Sequence, residues 1–242
     1  MLRSYEKGSP QEKFYAELYS NQSYGYVIQQ NKKYSDLNNI KLSMVNALQM
    51  MDQFIDPSDP DIDEPNSYHA YQTAERIRKK YPLDRELQIT GLIHDLGKIL
   101  FTFGEPNWSI VGDTFVLGCK IPETVVFYDI LQDILNKHPD TSNTELGIYE
   151  EGCGLDNLII SFGHDEYLYQ VLKQNKNHKL SEKYMNIIRY HSFYPWHSKG
   201  EYSQFMNEKD HVTLKNVMLF NEFDLYSKEE KNFQVTDKMK EY

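Results

Sequence analysis

RELQITGLIHDLGKILF, residues 85–101, is the stretch on which the reading of this chain turns. Leu92, Leu96, Ile99 and Leu100 recur at helical spacing, the mark of a helix facing a core. Inside that stripe stand His94 and Asp95. Neighbours on a helix diverge by about 100°, so His94 can hold one cation while the two carboxylate oxygens of Asp95 reach that cation and a second beside it. Asp95 would then be the bridge. Lys98 follows four residues after His94 and three after Asp95, which puts its ammonium over the same face, ready to hold a substrate oxygen. A lone His-Asp dipeptide is commonly a chance pair, but here it interrupts an apolar stripe, where an unpaired charge is costly to bury.

Further histidines and carboxylates recur on either side. His69 falls early in HAYQTAERIRKKY, a helix that Asn66 or Ser67 can cap and Pro82 closes; Ala70, Thr73 and Ala74 make it slim enough for close packing. His164 follows Gly163 in SFGHDEYLYQ, where a helix would begin. His191 ends EKYMNIIRYH before Pro195 turns the chain away, and Asp224 sits among Phe220, Phe223 and Leu225. Each is weak alone. Together, four imidazoles and two carboxylates on five helical segments are the inventory for two transition-metal ions side by side. His138, His178 and His211 lie in polar surroundings and read as surface residues.

The 242 residues suffice for one substantial core and are read as one domain, residues 1–242. Acidic residues outnumber basic ones 36 to 26, for a net charge of −10, and no Lys/Arg block stands out, so a nucleic-acid partner is not expected. The start, MLRSYEKGSP, lacks the apolar run of a secretory signal, and no stretch approaches the roughly 18 apolar residues of a membrane span. A cytosolic monomer is the expectation. Cys119 and Cys153 form no CxxC pair and read as reduced structural residues, which also argues against a thiolate zinc or iron-sulfur centre. The 19 tyrosines and 12 phenylalanines are scattered, as core or rim residues are.

In KLSMVNALQMMDQFI, residues 41–55, the residues Leu42, Val45, Leu48 and Met51 or Phe54 keep helical spacing. DPSDPDIDEPNS, residues 56–67, holds three prolines and five Asp/Glu, so it is a solvated linker or a loop over the site. Residues 103–125 carry five glycines or prolines around FVLGC and read as loop with a short hairpin or a few short strands. Helical patterns return at FYDILQDILN, NLIISFGHDEYLYQVLKQN, SEKYMNIIRYHSF and LKNVMLFNEFDLYSK. The expected fold is an all-α bundle whose helices each turn one or two polar residues inward.

The stretches PNSYHAYQTAERIRK, GLIHDLGKIL, FGEPNWSIVGDTFVLGC, TELGIYEEGCGLDNLIISFGHDEYLYQV, IIRYHSFYPWH and FNEFDLYSK resemble, in order and over nearly the whole chain, the myo-inositol oxygenase family, an HD-domain fold with a non-haem di-iron site. The resemblance implies that His69, His94 and Asp224 hold the first iron, His164 and His191 the second, and Asp95 bridges them. It implies Lys98 and Asp95 as catalytic residues, and Arg3, Asp56, Pro57, Ser58, Lys98, Gly112, Asp113, His191 and Ser192 around a bound cyclitol. It also implies a mixed-valent Fe(II)/Fe(III) pair with O2 as cosubstrate, cleaving myo-inositol to D-glucuronate. Two other readings stay open: an HD-type metal-dependent phosphohydrolase, whose phosphate Asp56 and Asp113 would repel, and a non-catalytic scaffold, which loss of any of the six ligands would favour. An oxygenase cleaving a phosphonate meets the same repulsion.

Overall fold

Ser9, Ser23 and Ser43 stand in extended backbone, and each hydroxyl accepts an N–H from the turn that follows, at 3.2–3.3 Å from Glu12, Tyr26 and Asn46. Such caps satisfy donors that a helix start leaves open. They begin α1 (Pro10–Asn21), α2 (Tyr24–Lys33) and α3 (Met44–Met51). The structure, a computed structural model, describes residues 5, 7–37, 40–58, 66–137, 144–175, 177–227 and 236. There follow α4 (Asn66–Lys80), α5 (Arg85–Ile93), α6 (Tyr128–Lys137), α7 (His164–Gln174), α8 (Glu182–Tyr190), α9 (Tyr194–His197) and α10 (Glu208–Ser227), with short 3₁₀ helices between. Among the described residues the fold is all-α, as expected, and no helix is long and apolar enough to cross a membrane.

The helices carrying the chemistry-bearing residues pack on one another: α4 along α5, α7 along α8, and α10 against α4, α5, α8 and α9. Small side chains set the first of these contacts. Ala70 and Ala74 are fully buried, and a Cβ added to Gly91 of α5 would stand 3.2 Å from the Ala74 nitrogen. Apolar side chains fill the spaces around them, with Leu92, Leu96 and Ile188 in one cluster and Trp196, Phe205 and Phe220 in another.

Three expectations need correction. The helix expected through residues 85–101 stops at Ile93, and Leu96–Phe103 winds as a tighter 3₁₀ helix, so His94 and Asp95 sit at the joint between the two. Gly97 lies so close to α7 that a Cβ there would stand 2.0 Å from the His164 carbonyl oxygen. Residues 103–125 form no hairpin: Gly112 and Gly118 turn the chain with positive φ, and the apolar run pairs instead with a segment far along the chain. The pairing is one isolated antiparallel bridge, Val116 with Ile160, flanked by Leu117 N–H on Ile159 O and Ser161 N–H on Phe115 O, both 2.8 Å. In α3 the buried face is Ala47, Leu48 and Met51, while Val45 is 60% exposed. Besides these, α1 and α2 lie in a stretch for which the sequence reading names no element.

Candidate metal centre

Two of the histidines stand one residue beyond a helix end. There the last carbonyls have lost their helical partners. His94 Nδ1–H donates to Gly91 O at 2.9 Å, and His191 Nδ1–H to Ile188 O at 2.7 Å, each reaching three residues back. Because a carbonyl only accepts, Nδ1 must carry the hydrogen, which leaves Nε2 to face the interior. His164 reaches the same tautomer at a helix start: its backbone N–H and its Nδ1–H both donate to Ile110 O, at 2.8 and 2.7 Å. Three imidazoles are thus fixed before any ion arrives.

Their Nε2 atoms meet around Asp95, whose backbone (φ −91°, ψ −2°) lies in the bridge region common at active sites. Its two oxygens face different donors. Oδ1 is 3.1 Å from His164 Nε2 and 3.6 Å from His191 Nε2, whereas Oδ2 is 3.6 Å from His94 Nε2 and 3.0 Å from Lys98 Nζ. On the second side, Asp224 Oδ1 lies 2.8 Å from His69 Nε2 and 3.5 Å from His94 Nε2. His164 Nε2 and His191 Nε2 are 3.2 Å apart. All six side chains are buried.

Donors held about 2.1 Å from a common ion stand about 3 Å from one another, and these separations are of that order. The nitrogen and carboxylate-oxygen donors suit iron, manganese or zinc. His69–His94–Asp224 and His94–Asp95–His191 are each close enough to share an ion, and so is His164–Asp165–His191. The residues fit a metal centre.

Opposite charges balance one another within the cluster. Burial pushes the Asp95 carboxyl upward, but the Lys98 ammonium and the His94 ring outweigh it and hold it well below the usual range. Burial pulls the His164 ring down, and the Asp165 and Asp95 carboxylates overcome this and hold it up to about 10. His197, which donates from Nε2 to His191 O at 2.9 Å, is instead pushed by burial down to about 4. Its buried place went unanticipated.

These opposite shifts set opposite pH dependences for the stability contributed by the two rings. With an ordinary value of 6.5, His164 contributes stability fully below about pH 6.5 and loses it as pH rises through about 10. His197 contributes fully above about pH 6.5 and loses it as pH falls toward about 4. Thermal unfolding in chelator is therefore expected to peak near pH 6.5, and His197→Gln is expected to flatten the acid side only. A midpoint rising steadily from pH 5 to 9 would contradict both assignments.

A small cavity of about 40 Å³ opens onto the donors, walled by Asp56, Ser58, Lys98, Gly112, Asp113 and Ser192, with Val111 and Tyr194 as members the sequence did not single out. Asp56 enters through a turn in which Ser58 donates N–H and O–H to Asp56 Oδ1 at 2.9 and 2.6 Å. That turn leaves Pro57, expected at the substrate, half-buried outside the wall. Asp113 Oδ1 accepts the Tyr15 hydroxyl at 2.9 Å. Asn66, expected as a cap, instead donates from Nδ2 to Met51 O and Phe54 O, and its Oδ1 lies 3.5 Å from Lys98 Nζ. Arg3, residues 59–65 of the acidic stretch and His138 lie outside the described residues. Of the remaining histidines, His211 is exposed, and His178 is half-buried and bridges Leu172 O and the Leu180 N–H. Cys119 and Cys153 are free thiols.

Comparison with known proteins gives the same direction. A family model described as myo-inositol oxygenase matches residues 9–242. The chain is 43% identical over 234 residues to the inositol oxygenase of Danio rerio, covering 94% of this chain and 83% of that one. It is 45% identical over 215 residues to the inositol oxygenase of Rattus norvegicus, with 88% and 75% covered. Against the probable inositol oxygenase of Oryza sativa subsp. japonica it is 43% identical, with 100% and 80% covered. The centre, its donors and these matches place the chain in the myo-inositol oxygenase family.

Proposed function

We propose that this chain is a di-iron oxygenase that opens the ring of myo-inositol with O2, giving D-glucuronate and water. The observation that carries the reading is the division of Asp95 between two donor sets, Oδ1 toward His164 and Oδ2 toward His94. His69, His94 and Asp224 would hold one iron, His164 and His191 the other, with Asp95 shared. When bound, the iron pair supplies the one-electron chemistry that O2 requires. Four electrons leave the substrate and reduce one O2, so no outside reductant enters the balance.

The chain's own residues do the rest. Asp56 and Asp113 accept hydroxyl hydrogens of the cyclitol, and Gly112 and Ser192 complete the wall. The Lys98 ammonium stands where negative charge develops on a substrate oxygen, in a place with little water to screen it. The same two carboxylates disfavour a phosphate ester, which would meet them against Lys98 alone. The enzyme would act on freely diffusing cyclitol as a cytosolic monomer. Anaerobic loading with ferrous iron, partial oxidation and addition of O2 to labelled inositol tests the reading: one labelled glucuronate per O2 consumed is expected. Unchanged inositol beside phosphate released from an ester would transfer the chain to the hydrolases.

A further inference from the structure

The chain carries two His-Asp dipeptides, and the fold turns them in opposite directions. In His94-Asp95 the carboxylate faces the Nε2 atoms of the cluster. In His164-Asp165 it lies behind the ring: Asp165 Oδ1 is 3.0 Å from His164 Nδ1, the nitrogen turned away from Asp95, and Oδ2 accepts the Thr114 hydroxyl at 3.3 Å. Asp165 is 3% exposed, so little water competes for it, and it lies in the first turn of α7, where a helix start favours a carboxylate. The Nδ1–H of His94 and that of His191 each meet a neutral main-chain carbonyl. The His164 Nδ1–H donates to a carbonyl, of Ile110, and has an anion beside it, Asp165 Oδ1 at 3.0 Å.

We propose that Asp165 is a positioning residue that fixes the His164 ring and strengthens its Nε2 as a donor, so that the ion between His164 and His191 is the more tightly held and the one favoured in the higher charge state. An anion beside Nδ1–H stabilises positive charge on the ring and leaves more electron density on Nε2; loss of such partners weakens metal binding by about 10–100-fold. Thr114 extends the support, because its backbone N–H donates at 2.9 Å to the carbonyl of Ser192, the residue after His191. Asp165 thereby links the two segments that supply this ion's histidines. A direct ligand role would require the ion to take His164 Nδ1, displacing the hydrogen that Ile110 O already accepts at 2.7 Å. The proposal rests on the two-ion reading above and adds an asymmetry between the ions.

Metal-free Asp165→Asn, titrated anaerobically with Fe(II) and separately with Co(II), tests it. One of the two binding steps is expected to weaken by about 10–100-fold while the other stays within twofold. Controlled oxidation should then give a smaller mixed-valent electron paramagnetic resonance signal per bound iron. Thr114→Val keeps the carboxylate, loses one of its donors, and is expected to weaken the same step by only a few-fold; it serves also if Asp165→Asn does not fold. Equal weakening of both steps, unchanged binding with an unchanged signal, or a Co(II) spectrum showing one oxygen donor fewer would overturn the proposal. A single binding step in the unaltered protein would be a different failure, overturning the two-ion reading and the asymmetry with it.

Discussion

Asp95→Asn is expected to cut turnover by at least about 10³-fold and to leave a protein that no longer holds two ions together. The carboxylate spans two donor sets, with Oδ1 3.1 Å from His164 Nε2 and Oδ2 3.0 Å from Lys98 Nζ. An amide offers one oxygen and one NH2 group. If the oxygen faces His164, the NH2 group meets the Lys98 ammonium, donor against donor; if reversed, the NH2 group faces His164 and offers an ion there no lone pair, and in either orientation the anionic charge is gone. The substitution also removes a negative charge that keeps Lys98 and the His164 ring tolerable in a buried place. Breaking a buried pair of this kind costs about 3–5 kcal/mol, with the lower end expected here because Lys98 retains Asp56 at 2.9 Å. Metal content after loading, kcat with inositol, and unfolding of the metal-free protein measure the three consequences. Two bound ions with kcat within tenfold of the unaltered protein would show that the bridge lies elsewhere.

The parts of this structure legible in the sequence are those set by local periodicity. α4, α8 and α10 follow from apolar spacing, and His69, His94, His164, His191 and Asp224 stood out as polar residues on or beside apolar stripes. The parts that were not legible depend on partners far along the chain. The switch from α5 to a 3₁₀ helix accompanies the close approach of Gly97 to the His164 carbonyl, and nothing near residue 97 announces that neighbour. Val116 finds Ile160 rather than a strand beside it, so FVLGC carried a strand's composition without a hairpin. In α1 and α2 a polar composition masked helices whose caps, Ser9 and Ser23, were in plain view. Asp165 carries the same dipeptide signal as Asp95, but which nitrogen of its histidine it faces is decided by the turn of α7.

Lys98→Met is expected to lower kcat by about 10²–10³-fold while both ions remain bound. Lys98 is 5% exposed and lies between Asp56 Oδ2 at 2.9 Å and Asp95 Oδ2 at 3.0 Å. Burial alone would favour its neutral form, but the Asp95 and Asp56 carboxylates outweigh it and raise its pKa above the ordinary lysine value. The ammonium is therefore charged throughout any practical assay range, and its titration should leave no inflection in the pH profile of kcat. Methionine keeps the length and loses the charge. Asp56 keeps the Ser58 N–H and O–H as donors, so the pocket wall should hold its shape. If the ammonium acts on charge that forms only during reaction, kcat falls more than the inositol KM rises, because an interaction made only in the transition state leaves ground-state binding largely unchanged. A variant with kcat within about threefold and iron content unchanged would make Lys98 only the counter-ion that lets Asp56 and Asp95 be buried together.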